Sequence, residues 1–278
     1  MSVQAVPSPK STRAATGGDR QVRRDRIGAV VVGALSVITF LAVWQGLVSS
    51  GLVHKAFLGS PETVSLAAWK LISDGALYKH TTASASRVLM GFALSSTTAI
   101  ILGLAMGVWR PLKAVFDPIV SLIRPLPSLS WIPLSMMWLG IGEEQKYAIV
   151  FMGTLAPTLV FVVDATQRVD PLLIRAARNL GANQVRVLWE VILPGALPSI
   201  LSALKVTMAL AWACIISAEM VGATRGLGFL IWNAKDWANI AQVIVGMLAI
   251  SITVLALDII YRLVEKRLTP WRRNERRH

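Results

Sequence analysis

The sequence predicts an all-α polytopic membrane protein with about six transmembrane helices. Of its 278 residues, 54% are hydrophobic and 15% are charged, and the mean hydropathy is +0.59, which is too apolar for an ordinary soluble domain. Apolar runs long enough to cross about 30 Å of hydrocarbon recur along the chain. The net charge of +13 would suggest nucleic acid in a soluble protein, but in a membrane protein the placement of the charges matters more. We therefore expect membrane lipid, and no nucleic acid, among its partners.

Six apolar segments define the predicted spans. They cover about residues 27–48, 87–109, 115–141, 147–163, 198–221 and 240–263. Residues 1–26 are rich in Ser, Pro, Gly and Arg and are predicted to be a disordered basic tail. No cleavage site follows the first apolar run, so residues 27–48 are predicted to remain as the first transmembrane helix. Residues 49–84 are expected to form an external segment with a helix that begins at Pro61, and residues 85–265 the transmembrane core.

Basic residues are concentrated on one side of this predicted topology. Four arginines, at positions 20, 23, 24 and 26, stand directly before the first span. The tail 266–278 is strongly basic, and residues 170–198 between the fourth and fifth spans carry several arginines. The turn 140–146 and the segment 222–239, on the other side, carry little positive excess. Because Lys and Arg are enriched in cytoplasmic loops, we predict a multi-pass protein of the cell (inner or plasma) membrane with both termini in the cytoplasm.

Residues 170–198 are polar although they lie between two apolar segments. Asp170 can accept a hydrogen bond from the first free amides of a helix, Pro171 suits the first helical position, and Gly181 can take the left-handed conformation that ends it. Asn183 can then cap a second short helix, which Pro194 is expected to terminate. The simplest interpretation is an amphipathic loop that rests on the membrane surface.

The spacing within this loop favours a more specific interpretation. The pattern is two alanines, three residues, Gly, nine residues, an aliphatic residue, one residue and then Leu-Pro. This pattern resembles the cytoplasmic coupling loop of ATP-binding-cassette importer permeases. The matching positions here are Ala176, Ala177, Gly181, Val191, Leu193 and Pro194. That family often has Glu at the position of Arg175. The run R-A-A-x-x-L-G-A in this chain is instead similar to the branch that imports sulfonates, taurine, nitrate and similar small anions.

Two further segments carry the same resemblance, which covers about residues 85–265. Residues 124–133 resemble the R-P-x-P-x-x-x-W-x-P segment of this branch, and residues 218–228, A-E-M-V-G-A-T-R-G-L-G, resemble the loop before its last span. The resemblance implies a type I ABC importer permease fold with cytoplasmic coupling helices. It also implies a pathway for a small anion, with aliphatic sulfonate or taurine first and nitrate, bicarbonate or carboxylates next.

The same resemblance implies a set of partners. These are a second permease copy, in a homodimer, two cytoplasmic ATPase subunits that carry the ATP and Mg, and an external solute-binding protein. This chain itself is expected to hold no cofactor. The residues expected to couple to the ATPases are Arg175, Ala176, Ala177, Leu180, Gly181, Ala182, Val191, Leu193 and Pro194.

The third apolar region contains the candidate translocation pathway. Four prolines interrupt it, and Arg124 lies among them at a depth where an ionisable residue suggests function. One interpretation is that Arg124 extends to the cytoplasmic interface or pairs with Asp117. The other is that Arg124, together with Ser128, Ser130 and Trp131, lines the route of an anion.

Glu219, near the outer end of the fifth span, is a further candidate for the pathway. A structural role is the other interpretation, in which its carboxylate pairs with Arg225 or accepts backbone amides. The two interpretations stay open at this point, because the sequence does not show which groups surround the carboxylate.

Several other classes of function are disfavoured by the residues present. The sequence has no glycine-rich nucleotide-binding loop, so the energy for transport must come from another subunit. A single cysteine, Cys214, and scattered histidines give no metal-ligand spacing, so no metal site and no catalytic cluster are expected. An ion-coupled secondary transporter is the alternative, but it would need acids buried at mid-membrane, and Asp164, Glu219 and Asp258 lie near the ends of predicted spans.

Overall fold

The computed structural model describes residues 16–51 and 57–268, and within these ranges the secondary structure is entirely helical. The elements are α1 (Thr16–Ser49), α2 (Pro61–Ser73), α3 (Ala76–Val108), α4 (Arg110–Ile123), α5 (Trp131–Leu139), α6 (Glu143–Gln167), α7 (Pro171–Asn179), α8 (Gln184–Val187), α9 (Leu193–Glu219), α10 (Leu227–Asp236) and α11 (Ile240–Leu268). A 3₁₀ turn, Ser128–Ser130, precedes α5, and a π-helical turn, Leu188–Ile192, joins α8 to α9. The predicted fold class is confirmed.

The chain divides into two compact units, residues 1–62 and 63–278. The first unit contains α1, which is apolar on all sides from Val31 to Ser49 and long enough to cross a membrane. Its helix begins at Thr16, so residues 16–26, which we predicted to be disordered, are helical. Once a span has nucleated a helix, each residue added to its end costs little free energy, so the helix can extend by about three turns. Residues 1–15 lie outside the described residues, as does most of the predicted basic tail 266–278.

The core of the second unit is built from α3, α6 and α9, with α10 and α11 packed around them. The axes of α3 and α6 approach closely because glycines on α3 face β-branched residues on α6. A Cβ atom on Gly91 would lie 2.7 Å from Val150 Cβ, and one on Gly103 would lie 2.8 Å from Val162 Cβ. Small residues serve this purpose in lipid, where helices gain little from hydrophobic association.

The third predicted span is broken, which is the main difference from the expected six helices. Among the described residues, five helices are long and apolar enough to cross a membrane, and none of them covers residues 115–141. That region instead forms α4, a non-helical turn at 124–127, the 3₁₀ turn and the nine-residue α5. Pro125 and Pro127 lack the amides that a continuous helix would need, so the backbone turns there.

Two other helix boundaries differ from the sequence-based expectation. The helix α3 begins at Ala76, well before the predicted start of the second span at residue 87, and Gly75 precedes it with φ of +66°. Pro194 does not terminate the second short helix, because α8, the π-helical turn and α9 form one continuous helix, Gln184–Glu219. In the wider π-helical turn the amide of Leu193 donates to the carbonyl of Leu188, so the chain accommodates the proline without ending the helix.

An ion-pair cluster joins α11 to the middle of α9. Asp258 on α11 pairs with Lys205 of α9 at 3.0 Å and with Arg262 of its own helix at 2.8 Å. Asp258 and Arg262 are four residues apart and so share one face of α11, whereas Lys205 reaches Asp258 only through the packing of α11 against α9. These groups are partly exposed, so we expect them to contribute little to stability.

We predict that Gly103→Leu lowers the free energy of unfolding by about 1–3 kcal/mol, because the new side chain would overlap Val162 on α6. The midpoint of thermal unfolding in detergent measures this effect. Gly33→Leu is the matched control, since a Cβ atom at Gly33 on α1 would meet nothing within 4 Å. Equal midpoints for the two variants would contradict the close approach of α3 and α6.

Candidate functional site

The polar loop between α6 and α9 forms a compact projection, which we call the knob and define as residues 170–193. Its first helix, α7, is capped as predicted: the Leu172 amide donates to the Asp170 carboxylate at 2.7 Å, and Pro171 takes the first helical position. At the other end the Gly181 amide donates to the Arg178 carbonyl, and the Ala182 amide to the Ala177 carbonyl. This pair of bonds is a Schellman motif, which requires the left-handed φ of +84° that Gly181 adopts.

The second half of the knob is one rigid piece with the fifth span. The Arg186 amide donates to the Asn183 side chain at 2.8 Å, so Asn183 caps α8 as predicted. From Gln184 the helix continues without interruption to Glu219. Val187 and Ile192 are buried in the core cluster beneath the knob, where Ile174 and Ala177 of α7 also pack. The knob therefore cannot swing freely with respect to α9.

The surface of the knob exposes large apolar side chains among its charged ones. Leu180 is 89% exposed and Trp189 is 61% exposed, and other large apolar side chains beside them are also exposed. These are Leu172, Leu173 and Val185. In a short loop that carries several arginines, exposed apolar side chains of this size fit contact with another protein or with the membrane surface.

The nine predicted coupling residues, eight in the knob and Pro194 directly after it, divide into exposed and partly buried positions. Those on the exposed side are Arg175, Ala176, Leu180, Gly181 and Pro194, and those turned partly toward the core are Ala177, Ala182, Val191 and Leu193. A Cβ atom on Gly181 would meet nothing within 4 Å. Within this chain, the requirement for glycine there therefore comes from the backbone conformation and not from crowding.

Arg124 follows the last residue of α4 and is exposed. It lines an open cavity of about 430 Å³ together with Asp117, Val120, Ser121, Pro125 and Val160. The carboxylate of Asp117 pairs with Lys113 at 3.1 Å, and among the described residues no ion pair joins Asp117 to Arg124. Arg124 therefore lines the cavity without the predicted ion pair to Asp117, and its part in a solute pathway stays a prediction.

The other candidate pathway residues of this region are not gathered around that cavity. Ser128 is half-buried and lies against α6 and α9, because a Cβ atom on Gly153 would come within 3.0 Å of Ser128 Cβ and would overlap Cys214. Ser130 is exposed, and Trp131 is half-buried at the start of α5. Contact of these residues with a transported solute stays a prediction.

Glu219 lies at the C-terminal end of α9 and is 1% exposed, and both oxygens of its carboxylate accept hydrogen bonds. The hydroxyl of Ser84 donates to it at 2.8 Å, the Arg87 guanidinium donates at 2.8 Å, and the Gly228 amide donates at 2.9 Å. The predicted bond to backbone amides is present, but the cation that pairs with Glu219 is Arg87 and not Arg225. Arg225 contributes its backbone carbonyl, which accepts a hydrogen bond from Arg87 at 2.6 Å.

Arg87 joins three helices and a loop through one guanidinium group. Besides Glu219 and the Arg225 carbonyl, it binds the Glu143 carboxylate of α6 with two bonds of 2.5 and 2.6 Å. Arg87 is 5% exposed, whereas the Glu143 side chain is 53% exposed. Removing one partner from a buried ion pair costs on the order of 3–5 kcal/mol, because a charge is left buried without compensation.

Side chains on the face of α3 that carries Arg87 also accept hydrogen bonds from the first amides of α10. The Gly226 amide donates to His80 Nδ1 at 3.1 Å, and the Leu227 amide donates to the Ser84 hydroxyl at 2.8 Å. With the Gly228 amide bound to Glu219, three successive amides of this helix terminus have side-chain acceptors. These amides would otherwise have no partner within the helix.

The glycines at this terminus are required by the same contacts. A Cβ atom on Gly226, whose φ is +133°, would overlap the Glu219 carboxylate. One on Gly228 would lie 2.6 Å from the Ile216 carbonyl oxygen. The G-L-G run thus permits the carboxylate to reach the amides. We call this assembly the outer clasp and define it as the side chains of His80, Ser84, Arg87, Glu143 and Glu219 with the amides of residues 226–228.

Sequence reasoning placed Arg87 only as the first residue of a span and gave His80 no role. A signal was present: His80, Ser84 and Arg87 are spaced by four and three residues and therefore share one face of a helix. A carboxylate at the end of an apolar span also requires a partner, and Arg87 is a basic residue within another span. Among the described residues, no group of three or more His, Cys, Asp and Glu side chains could hold a metal ion.

Comparisons with known proteins agree with this architecture. A family model described as "Binding-protein-dependent transport system inner membrane component" matches residues 97–272. The taurine transport system permease protein TauC of Escherichia coli (strain K12) is 35% identical over 245 residues, which cover 86% of this chain and 88% of TauC. The putative aliphatic sulfonates transport permease protein SsuC of the same organism is 33% identical, over 84% of this chain and 89% of SsuC.

Solved structures give the fold independently. A structure of inward facing conformations of the MetNI methionine ABC transporter aligns with a TM-score of 0.59 and 18% identity, over 72% of this chain and 97% of that chain. The family and the fold predicted from the coupling-loop spacing are therefore confirmed. This chain belongs to the binding-protein-dependent transport system inner membrane components and is a permease of an ATP-binding-cassette importer.

Proposed function

We propose that this permease, together with a second copy of itself, forms the membrane pathway of an importer for a small anion, and that two cytoplasmic ATPases drive it through the knob. The observation that carries the proposal is the set of large apolar side chains exposed on the knob, whose second half is continuous with the 36-residue helix Gln184–Glu219. ATP and Mg belong to the ATPases. An external binding protein would supply the solute, and both termini would lie in the cytoplasm on the side of the knob.

The geometry of the knob suits the transmission of force. An ATPase that grips Leu180 and Trp189 would hold one end of a helix that spans the whole membrane. Because the knob is packed on buried Val187 and Ile192, a displacement of the ATPase cannot be absorbed by bending at the junction with α9. Closure of two ATPases would then tilt the attached helices as a body.

We predict that Gly181→Asp abolishes the coupling of ATP hydrolysis to uptake while the protein still inserts. The substitution strains the left-handed turn and places a charge on the docking face. Gly75→Asp is the matched control, since Gly75 also has a positive φ, of +66°, and open space around it, but lies outside the knob. Gly181→Asn separates the two causes, because Asn tolerates this conformation and adds no charge.

The measurement is solute-stimulated ATP hydrolysis by the purified complex in proteoliposomes, with the amount of inserted permease determined alongside. Normal stimulation in Gly181→Asp would refute the assignment of the knob. A loss in Gly75→Asp as large as that in Gly181→Asp would also refute it, since the effect would then not depend on the knob.

The broken third span supports the second copy and the pathway. The non-helical turn at 124–127 leaves backbone groups without helical partners, and such groups are tolerated at membrane depth only against protein or water. Arg124 is exposed at this turn and faces a cavity that is open on one side. A second copy across this face would close the cavity into a passage, and the guanidinium would attract an anion inside it.

The chemistry of the solute is suggested by the relatives and by Arg124. TauC is named for taurine and SsuC for aliphatic sulfonates, and both solutes carry a sulfonate group. Arginine binds planar or tetrahedral oxyanions through paired donors. We infer aliphatic sulfonate or taurine as the first candidate, with nitrate, bicarbonate and carboxylates next. The alternative of a secondary transporter receives no support from Glu219, whose carboxylate is already paired with Arg87.

We predict that Arg124→Gln reduces uptake of taurine by about tenfold or more, because the loss of one charge-assisted hydrogen bond to an anion costs about 1.5–3 kcal/mol. Uptake of radiolabelled taurine in cells that express the complete importer measures this. Arg110→Gln, at the exposed start of α4, is the control that also removes one positive charge. Unchanged uptake in Arg124→Gln would remove Arg124 from the pathway.

A further inference from the structure

We propose that the outer clasp keeps α3, α6, α9 and the start of α10 together as a single body throughout the transport cycle. Through it, the displacement of the knob reaches the outer loop 220–226. Arg87 and Glu219 are positioning residues in this proposal, since they act through α10 and not on the solute. This inference about the clasp rests on the proposed function in one respect, namely that the ATPases act on the knob.

The first step is the continuity of the helix that joins the two faces of the membrane. The helix Gln184–Glu219 has 36 residues, which corresponds to a rise of about 54 Å. The knob is at its inner end, and Glu219 is the last residue at its outer end. A displacement of the knob therefore arrives directly at the Glu219 carboxylate.

The second step is the number of hydrogen bonds that would break if these helices moved relative to one another. For α9 to move against α3, Glu219 would lose bonds from both Arg87 and Ser84, and these groups are almost completely buried. For α6 to move against α3, the two bonds between Arg87 and Glu143 would break. Buried charges that lose their partners are expensive, so these helices favour movement as one body.

The third step is the lack of space for rearrangement. Glu219 lies directly against the Cα atoms of Gly226 and Gly228, where no Cβ could be accommodated. The amides of residues 226–228 are bound by His80, Ser84 and Glu219, from two different helices. The start of α10 is thus fixed to α3 and to α9 at the same time, and it must follow both.

The consequence lies on the outer surface. The helix α10 follows directly from the clasp and exposes Trp232, Lys235 and Trp237 near its end. If the clasp moves as one body with the knob, this surface changes its position whenever the ATPases close. The arrangement gives the external binding protein a surface whose position depends on the state of the ATPases.

The proposal is tested by a distance measurement across the clasp in the complete complex. Spin labels are placed by Lys79→Cys on α3 and Asn233→Cys on α10, both exposed positions outside the clasp, in a chain that carries Cys214→Ala. Labelled chains are diluted with unlabelled ones, so that each pair of labels reports on one chain. We expect the distance to agree within about 2 Å, less than a gating shift, between the nucleotide-free complex and the complex trapped with ATP and vanadate.

Removal of the clasp should change this result. In Glu219→Gln, the distance is expected to depend on the nucleotide state or to broaden, and Glu219→Asp should restore part of the original behaviour. If Glu219 had only a structural role, Glu219→Gln would lower the unfolding temperature, and the distance between the labels would not depend on the nucleotide state. Asp258→Asn is the control, because it removes a carboxylate from an ion-pair cluster outside the clasp. Ser84→Ala replaces Glu219→Gln if the latter does not fold.

Three outcomes are distinguishable. A change of distance on ATP trapping in the parent chain would overturn the proposal, because the clasp would then open during the cycle. An unchanged distance in both Glu219→Gln and Ser84→Ala would overturn it as well, because the clasp would then not be what holds α10. ATPases that fail to copurify with the parent chain would instead contradict the proposed function, and not the rigidity of the clasp.

Discussion

The ion pair between Arg87 and Glu219 is the constraint on which much of this structure depends. A carboxylate that is 1% exposed in an apolar bundle requires a cation and hydrogen-bond donors, and both have to be brought to it from distant parts of the sequence. Arg87 comes from α3, and the donating amide of Gly228 comes from the loop after α9. The two glycines before and within α10 let the carboxylate reach these donors, and Glu143 of α6 pairs with the same guanidinium.

The knob end of the same helices is organised by a different principle. The Asp170 and Asn183 side chains cap its two short helices, and the burial of Val187 and Ile192 packs them against the core. Its surface leaves large apolar side chains such as Leu180 and Trp189 exposed among arginines. Under the proposed function, these are the side chains that a partner ATPase would cover.

The sequence predicted local features well, because each of them depends on residues that are close in the chain. The cap at Asp170, the left-handed turn at Gly181 and the cap at Asn183 are examples. The family also followed from the loop spacing. The partner of Glu219 could not be predicted in this way, because Arg87 is 132 residues away, and only the three-dimensional packing brings them together.

The errors at prolines had another cause. At Pro194, the rule that proline ends an α-helix predicted the end of the second short helix. The wider π-helical turn accommodates the proline, which has no amide hydrogen, and the helix continues. At Pro125 and Pro127 the opposite occurred, since a long apolar segment suggested one helix and the backbone turned. Hydropathy measures average composition and does not register where a backbone hydrogen bond is lost. In the tail, residues 16–26 have a disordered composition but extend an adjacent helix.

The π-helical turn at 188–192 has a geometric consequence for the evolution of such a protein. It adds one residue to a turn that would otherwise follow α-helical geometry, and one residue corresponds to about 100° of rotation about the helix axis. The direction in which Trp189 and the preceding loop point is therefore set relative to α9 by that single residue. Loss of one residue here would leave every membrane contact of α9 in place and turn the knob toward a different neighbouring surface.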